Sequence, residues 1–265
     1  MESRQAAPID RKEIPGLMNP MTSLTVRKCD SLEEFQACVD LQREIWGEAD
    51  LDVEPSTTFI IAVETGGQVL GAFDNRRLVG YTLALVGLRN GAPYLHSHMT
   101  GVAAGYRDRG VGRSLKMFQR EEALGRGIRL IEWTFDPLEL RNAHFNLNRL
   151  GAICRRYLPN LYGITSSPLH RGLATDRLVA EWYLDSPRVL AAIARETNDP
   201  LEAPATIHLP AELEQWKAND PTRVQGTQAR LRTEFSNWFG KGYAALAVRT
   251  LPADPAYLLA PWSDF

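Results

Sequence analysis

The sequence predicts a mixed α+β fold: a mostly antiparallel sheet flanked by helices, followed by a smaller C-terminal α/β unit. Three observations predict it. Three strand-like runs, QVLGAFD, LVGYTLALVGL and PYLHSHMTGVAA, follow one another through hairpin-length connections at Asn75-Arg76-Arg77 and Asn90-Gly91. Helical and strand periodicities then alternate as far as residue 184. Beyond Ser186-Pro187 the texture changes to a proline-rich connector, NDPLEAPAT, and a new helix–strand pair.

Each element has a local cause. SLTVRKC is a short strand. Asp30 or Ser31 then caps a helix whose first turn holds Glu33 and Glu34, where acidic residues favour the helix dipole. Leu32, Phe35, Val39 and Ile45 give that helix its apolar stripe, and Gly47 stops it. STTFIIAVET reads as a second helix ending at Gly66-Gly67, against the β-branched preference of several of its residues. After the three strands, residues 110–127 form a helix with Val111, Leu115 and Phe118 inward. RLIEWTF is a strand broken by Asp136-Pro137, residues 139–150 a helix stopped by Gly151, and DRLVAEWYL the last strand of this block. In the C-terminal part, RVQGTQARLRTEFSNWF places Leu231, Phe235, Trp238 and Phe239 on one helical face, and YAALAVRTL follows as a strand. The division expected is a loose leader over 1–22, a main domain over 23–186 and an extension over 187–265 acting as a lid or dimer contact.

A chain of 265 residues with 44% hydrophobic and 23% charged residues builds an ordinary globular core. A net charge of −2 argues against a general nucleic-acid binder. No apolar run approaches the length of a membrane span, and the first residues lack the apolar core of a signal peptide. Three cysteines, Cys29, Cys38 and Cys154, suggest reduced thiols and a cytoplasmic setting. The charge is uneven. Between residues 104 and 129, seven basic residues (Arg107, Arg109, Arg113, Lys116, Arg120, Arg126, Arg129) face three acidic ones (Asp108, Glu121, Glu122).

That basic stretch begins with Arg107-Asp108-Arg109-Gly110-Val111-Gly112, placed where a strand becomes a helix. Glycines let backbone amides approach an anion. The free N–H groups and dipole of a helix start favour negative charge, and adjacent arginines add charge-assisted hydrogen bonds. The pattern points to a pyrophosphate; a tight turn with solvated arginines is the plainer alternative. A nicotinamide-type GxGxxG fingerprint is absent.

With Val102 and the aromatic Tyr106 before it, the R-x-x-G-x-G run resembles the coenzyme A loop of the GNAT acyltransferase superfamily, and the element order over about residues 23–185 is similar to that superfamily too. The resemblance implies an acyl-CoA cosubstrate, acetyl-CoA first, without a metal. It assigns CoA binding to Val102, Arg107, Arg109, Gly110, Val111, Gly112 and Arg113, with backbone near Val102 on the thioester. A second family segment, N-x-x-A-x-x-x-Y-x-x-x-G-F, is matched by LRNAHFNLNRLGA at Ala143 and Gly151. Leu147 stands where the family places a tyrosine that often acts as general acid; Tyr157 and Tyr162 are the replacements nearby. Asn142 is the amide assigned to CoA, with Asn146 and Asn148 as weaker options. Arg141, Arg149, Arg155 and Arg156 suit the phosphate at the nucleotide end, and Arg155 and Arg156 are also available as cations to a dicarboxylic acyl group. The chain is similar to a bacterial branch of the superfamily with a C-terminal extension.

His96 and His98 stand two apart on a strand and so share a face, one that Thr100 and Val102 continue unless a bulge intervenes. An attacking amine must lose a proton, and an imidazole can take it. The resemblance places His96 where many GNAT enzymes carry a catalytic glutamate, and the pair is similar to the strand histidines of arylalkylamine N-acetyltransferases. Structural histidines, and a zinc pair completed by His144, are the competing readings. Cys154 reads as an inert thiol. The expected activity is acyl transfer, acetyl first, from acyl-CoA to a primary amine of a small molecule, without nucleic-acid or membrane partners and with a homodimer as an option. The alternatives are a succinyl-CoA-dependent amino-acid N-acyltransferase and a non-catalytic CoA-binding or scaffold protein.

Overall fold

The computed structural model describes residues 24–47, 53–163, 172–194 and 203–263. The leader over 1–22 and residues 198–202 of the connector lie outside the described residues. The chain runs β1 (Leu24–Lys28), α1 (Leu32–Trp46), α2 (Ser56–Glu64), β2 (Gln68–Asp74), β3 (Arg77–Arg89), β4 (Ala92–Val102), α3 (Val111–Gly125) and β5 (Leu130–Phe135). It continues with α4 (Leu140–His144), β6 (Ile153–Leu158), β7 (Arg177–Tyr183), α5 (Pro187–Ala194), β8 (Ala205–His208), α6 (Leu213–Asn219), α7 (Pro221–Gly240), β9 (Tyr243–Arg249) and β10 (Ala256–Pro261).

The predicted class is the observed one: a mixed, mostly antiparallel sheet with helices on it and further C-terminal strands and helices. Ser31 is the cap of α1, its hydroxyl accepting from the Glu34 amide at 3.3 Å. Serine wins over Asp30 because its short side chain reaches the third helical amide. α2 forms despite its β-branched residues, because Phe59 and Ala62 are buried against the sheet.

The strand order is β1-β2-β3-β4-β5-β7-β6-β9-β10-β8, one sheet of ten strands. The helical crossover through α3 makes β4 and β5 parallel. β6, lying between β7 and β9, was not expected from the sequence. ICRRYL carries two central arginines, and its alternation is broken by a bulge between Cys154 and Arg156. β7 is therefore not the end of the sheet. The short elements α5, α6, β8 and β10 were also missed, and the connector expected over 198–206 ends inside β8.

Residues 187–265 extend this sheet rather than stand beside it. One core cluster joins Ile131, Trp133 and Trp182 of the first half to Leu231, Phe235 and Tyr257 of the second. Asn148 clasps β9 by accepting from the Val248 amide at 2.9 Å and donating to its carbonyl at 3.2 Å. A second cluster lies across the sheet, where α1 and α2 cover β2 and β3 through Phe35, Val39, Phe59, Tyr81 and Leu83. α1 comes so close to β4 that a Cβ at Gly101 would fall 2.7 Å from Ile45 and 2.9 Å from Trp46.

Candidate active site

β4 and β5 hold together only briefly. Their parallel pairing comprises Leu95↔Ile131 and His96↔Glu132. β4 runs on to Val102 and β5 to Phe135, so the two strands part like the arms of a V. Both lead into helices at the open end, α3 and α4. Backbone groups facing such a cleft are available to a ligand, because buried N–H and C=O groups demand partners.

The Arg/Gly loop stands at the mouth of this cleft. Gly110 is the N-cap of α3 with φ +82°, a left-handed conformation that costs a residue with a Cβ about 1–2 kcal/mol. Asp108, also left-handed at φ 63°, has the residue type that tolerates this best after glycine. The amides of Val111, Gly112 and Arg113 are the first of a 15-residue helix and lack intrahelical acceptors; the first such bond runs from the Ser114 amide to the Gly110 carbonyl at 2.9 Å. Gly112 lies beside Val102, where an added Cβ would touch the valine at 3.9 Å.

The arginines are held in place. Arg107 Nε donates to the Val102 carbonyl at 3.2 Å, tying the loop to the end of β4. Arg109 lies over the Tyr106 ring, whose hydroxyl donates to Asp74 at 2.6 Å. Arg113 donates to the Ile193 carbonyl at 2.9 Å. Arg141 of α4 pairs with Asp108, linking α4 to the loop before α3. Asn142 is exposed on α4 beside it. Asn148 has another role from the one weighed for it: its amide is committed to β9.

A bulge decides the histidine geometry. Between Leu83↔Met99 and Ala84↔Ser97 the register skips His98. Thr100 and Val102 therefore turn to the α3 face, where Val102 packs with Val111 and Leu115. His96 keeps the other face, and its ring lies 6.2 Å from that of His98. His96 is half-buried, and burial, followed by the neighbouring His98, lowers its pKa from the usual histidine value. It is thus a neutral acceptor at pH 7. His98 is turned toward Glu54, with Nε2 at 3.3 Å from Oε1.

Ile131, Trp133 and Phe135 point into the core under α3 and α4, so Glu132 and Thr134 lie on the face of His96. Glu181 of β7 pairs with Glu132. Sequence reading missed both glutamates, although each is the single acidic residue in an apolar strand run, RLIEWTF and RLVAEWY. Arg155 and Arg156 are bound to Glu181 and Glu132. Their bulged strand turns them to this face.

Two acid candidates separate clearly. Tyr157 donates to Asp176 at 2.7 Å and stacks on Phe235, and burial drives its pKa up, so it is a core residue. The Tyr162 hydroxyl shares a 2.9 Å hydrogen bond with Thr134, two residues past the last β4–β5 pair. Leu147 is fully buried in the core. Cys154 is buried as well, and burial pushes its thiol pKa up, away from thiolate chemistry. Among the described residues no group of three His, Cys, Asp or Glu side chains has the arrangement to hold a metal ion, and no helix is long and apolar enough to cross a membrane.

A parted pair of parallel strands with a glycine-capped helix start at its mouth leaves free backbone amides at the open end of a cleft. Residues 35–151 match the acetyltransferase (GNAT) family. No curated protein matches by sequence. Among solved structures, the ribosomal-protein-S18-alanine N-acetyltransferase of Escherichia coli is similar in fold at 13% identity, covering 62% of this chain and 95% of its own, with a TM-score of 0.50. NAA60 of Arabidopsis thaliana, solved with acetyl-CoA, is similar at 14% identity over 61% of this chain and 99% of its own, also at 0.50.

Proposed function

We propose that the protein is an N-acyltransferase that moves an acyl group, acetyl first, from acyl-CoA to the primary amine of a small molecule within a ternary complex. The observation that carries this reading is the cleft between β4 and β5, with the Gly110-capped start of α3 at its mouth and His96 on the opposite face. Pyrophosphate sits on the amides of Val111, Gly112 and Arg113, with Arg107 and Arg109 adding charge. Asn142 lies on the second arm, within the nucleotide's side of the opening. The thioester lies along β4 near Val102, where a backbone N–H steadies the oxygen as it gains charge.

The amine enters from the face of His96. As nitrogen attacks the thioester carbon, a C–N bond forms, the C–S bond breaks and a proton leaves the nitrogen. His96 receives that proton, directly or through water, because it is neutral at working pH. His98, held by Glu54, orients the approach. Tyr162 returns a proton to the departing thiolate, replacing the tyrosine that the family keeps at the position of Leu147. Ala244, Leu246 and Trp262 of the C-terminal extension pack beside Tyr183 on this face, so residues 187–265 shape the acceptor side.

Calorimetric titration with CoA, acetyl-CoA and succinyl-CoA tests the reading. Binding of a CoA species that Arg107→Glu weakens at least about tenfold is the expected result. No binding to the unaltered protein would remove the reading and leave a GNAT fold used as a scaffold.

A further inference from the structure

The strands of the cleft part just after the pair His96↔Glu132. The next residue on β4 is Ser97 and the next on β5 is Trp133, the two that would pair if the parallel ladder went on. Both meet Lys116, which reaches them from α3. Its amine donates to the Ser97 hydroxyl at 2.8 Å and lies 4.2 Å from the centre of the Trp133 ring. Gln119, three residues on along α3, closes the group. Lys116 donates to its side-chain oxygen at 3.0 Å, and its side-chain nitrogen lies 3.4 Å from the Ser97 hydroxyl. Lys116 and Ser97 are each 4% exposed and Gln119 is fully buried, so the group is sealed between sheet and helix.

A lysine in that layer is costly, because burial disfavours its charge. The layer is otherwise apolar, with Leu95, Met117 and Trp133 in its core cluster, and a methionine would pack there without that cost. The polar group stands at one special place in the sheet. From Ser97 onward β4 has lost β5, and the pairing of β4 with β3 shifts between Ser97 and Met99. Backbone support is therefore reduced on both sides of Ser97. The amine donates to Ser97 whether charged or neutral, and the charged form is also attracted to the Trp133 ring. Ser97 lies between His96 and His98 in the chain, so movement of its backbone carries both rings on the other face. We propose that Lys116 is a positioning residue of the acyl-transfer site: held between Ser97 and Trp133, it pins the vertex of the cleft and fixes where His96 stands. The inference rests on the acyltransferase reading and adds a residue to that same site. Lys116 also acts on His96 as a charge. Glu132 of β5 favours the charged imidazole, whereas His98 of β4, Lys116 of α3 and Arg156 of β6 oppose it.

The test uses the full chain and needs no acceptor. The imidazole of His96 is titrated by NMR, with His96→Ala identifying its signal, in the unaltered protein and in Lys116→Met. Amide hydrogen exchange is read at residues 96–99 and 132–135 in the same two proteins and in Ser97→Ala, which keeps the lysine and removes its acceptor. Lys116→Met is expected to leave urea unfolding no weaker, yet to speed exchange on both strands at least about tenfold. It is also expected to move the His96 titration to higher pH, because a positive charge is gone. Ser97→Ala is expected to speed exchange on β4. A lysine that merely fills the core would leave local exchange tied to global stability. Both effects of Lys116→Met are required: unchanged local exchange, or an unchanged His96 titration, overturns the proposal. Calorimetric titration of the unaltered protein with acetyl-CoA separates the two readings. Binding, with exchange and titration unchanged in the variant, removes the pin alone; no binding removes the acyltransferase reading and the proposal together.

Discussion

His96 and Lys116 lie on opposite faces of the sheet, and both are residues whose charge the fold suppresses. For His96 the effect serves the proposed chemistry. Its pKa is lowered by burial and by His98, so the acid limb of kcat/KM belongs below the usual histidine value of about 6.5. His98→Ala removes one of the lowering influences, and a pH–rate profile is expected to show that limb moving up. His96→Ala is expected to lose most activity, on the order of 10²–10⁴-fold, with CoA titration unchanged; full activity would end its assignment as base. Lys116 is buried, paired with no carboxylate among the described residues, donating to Ser97 at 2.8 Å and Gln119 at 3.0 Å and lying over Trp133. Burial brings its pKa down to about 7. The unfolded chain, with a lysine near 10.4, therefore binds more protons between about pH 7 and 10.4, and stability rises with pH through that window. Below about pH 7 both states are protonated and the full cost of burying the charge is present. Lys116→Met is expected to raise stability at pH 7 by about 1–2 kcal/mol net of its lost hydrogen bonds and to flatten this dependence, as read by urea unfolding at pH 7 and 9.5.

At the scale of elements, the loop before α3 and the bulge in β4 do the positioning. The loop was legible in the sequence because its requirements are local. A left-handed N-cap needs a glycine, and unsatisfied helix amides with arginines beside them mark an anion site. Gly110→Val meets open space but the wrong φ, so a cost of about 1–2 kcal/mol is expected from thermal unfolding, together with weaker CoA binding as the first amides of α3 shift. The bulge was not legible. YLHSHMTGV carries no local mark of it, and only pairing with β3 shows that His98 has no opposite residue. The consequence is geometric: His96 looks toward one face and Val102 toward the other. Glu132 and Glu181 were visible as odd charges in apolar strands. Their meeting was not, because it depends on which strand inserts between β5 and β6.

At the scale of the molecule, the C-terminal residues complete the core. Phe235 of α7 touches Tyr157 of β6 and Tyr257 of β10, with ring centroids 5.7 and 5.1 Å apart. Phe235→Ala is expected to cost about 3–5 kcal/mol in denaturant unfolding and to loosen both halves in a single transition. Two separate transitions would show that residues 187–265 fold independently.

The sequence by itself determined the class of fold and the order of the main elements, and it marked a candidate anion loop and a candidate histidine, because propensity, capping and alternation act within a few residues. It also pointed to the GNAT superfamily, through the same short loop. Tertiary structure alone decided that β6 joins the sheet and that the extension shares the core. It also decided that Thr100 and Val102 leave the face of His96, and that Arg155 and Arg156 meet Glu181 and Glu132. Those outcomes depend on register and strand insertion, which bring together residues as far apart as Arg89, Glu132 and Glu181. One residue of slip sends a side chain to the other face, and nothing local in the sequence records that choice.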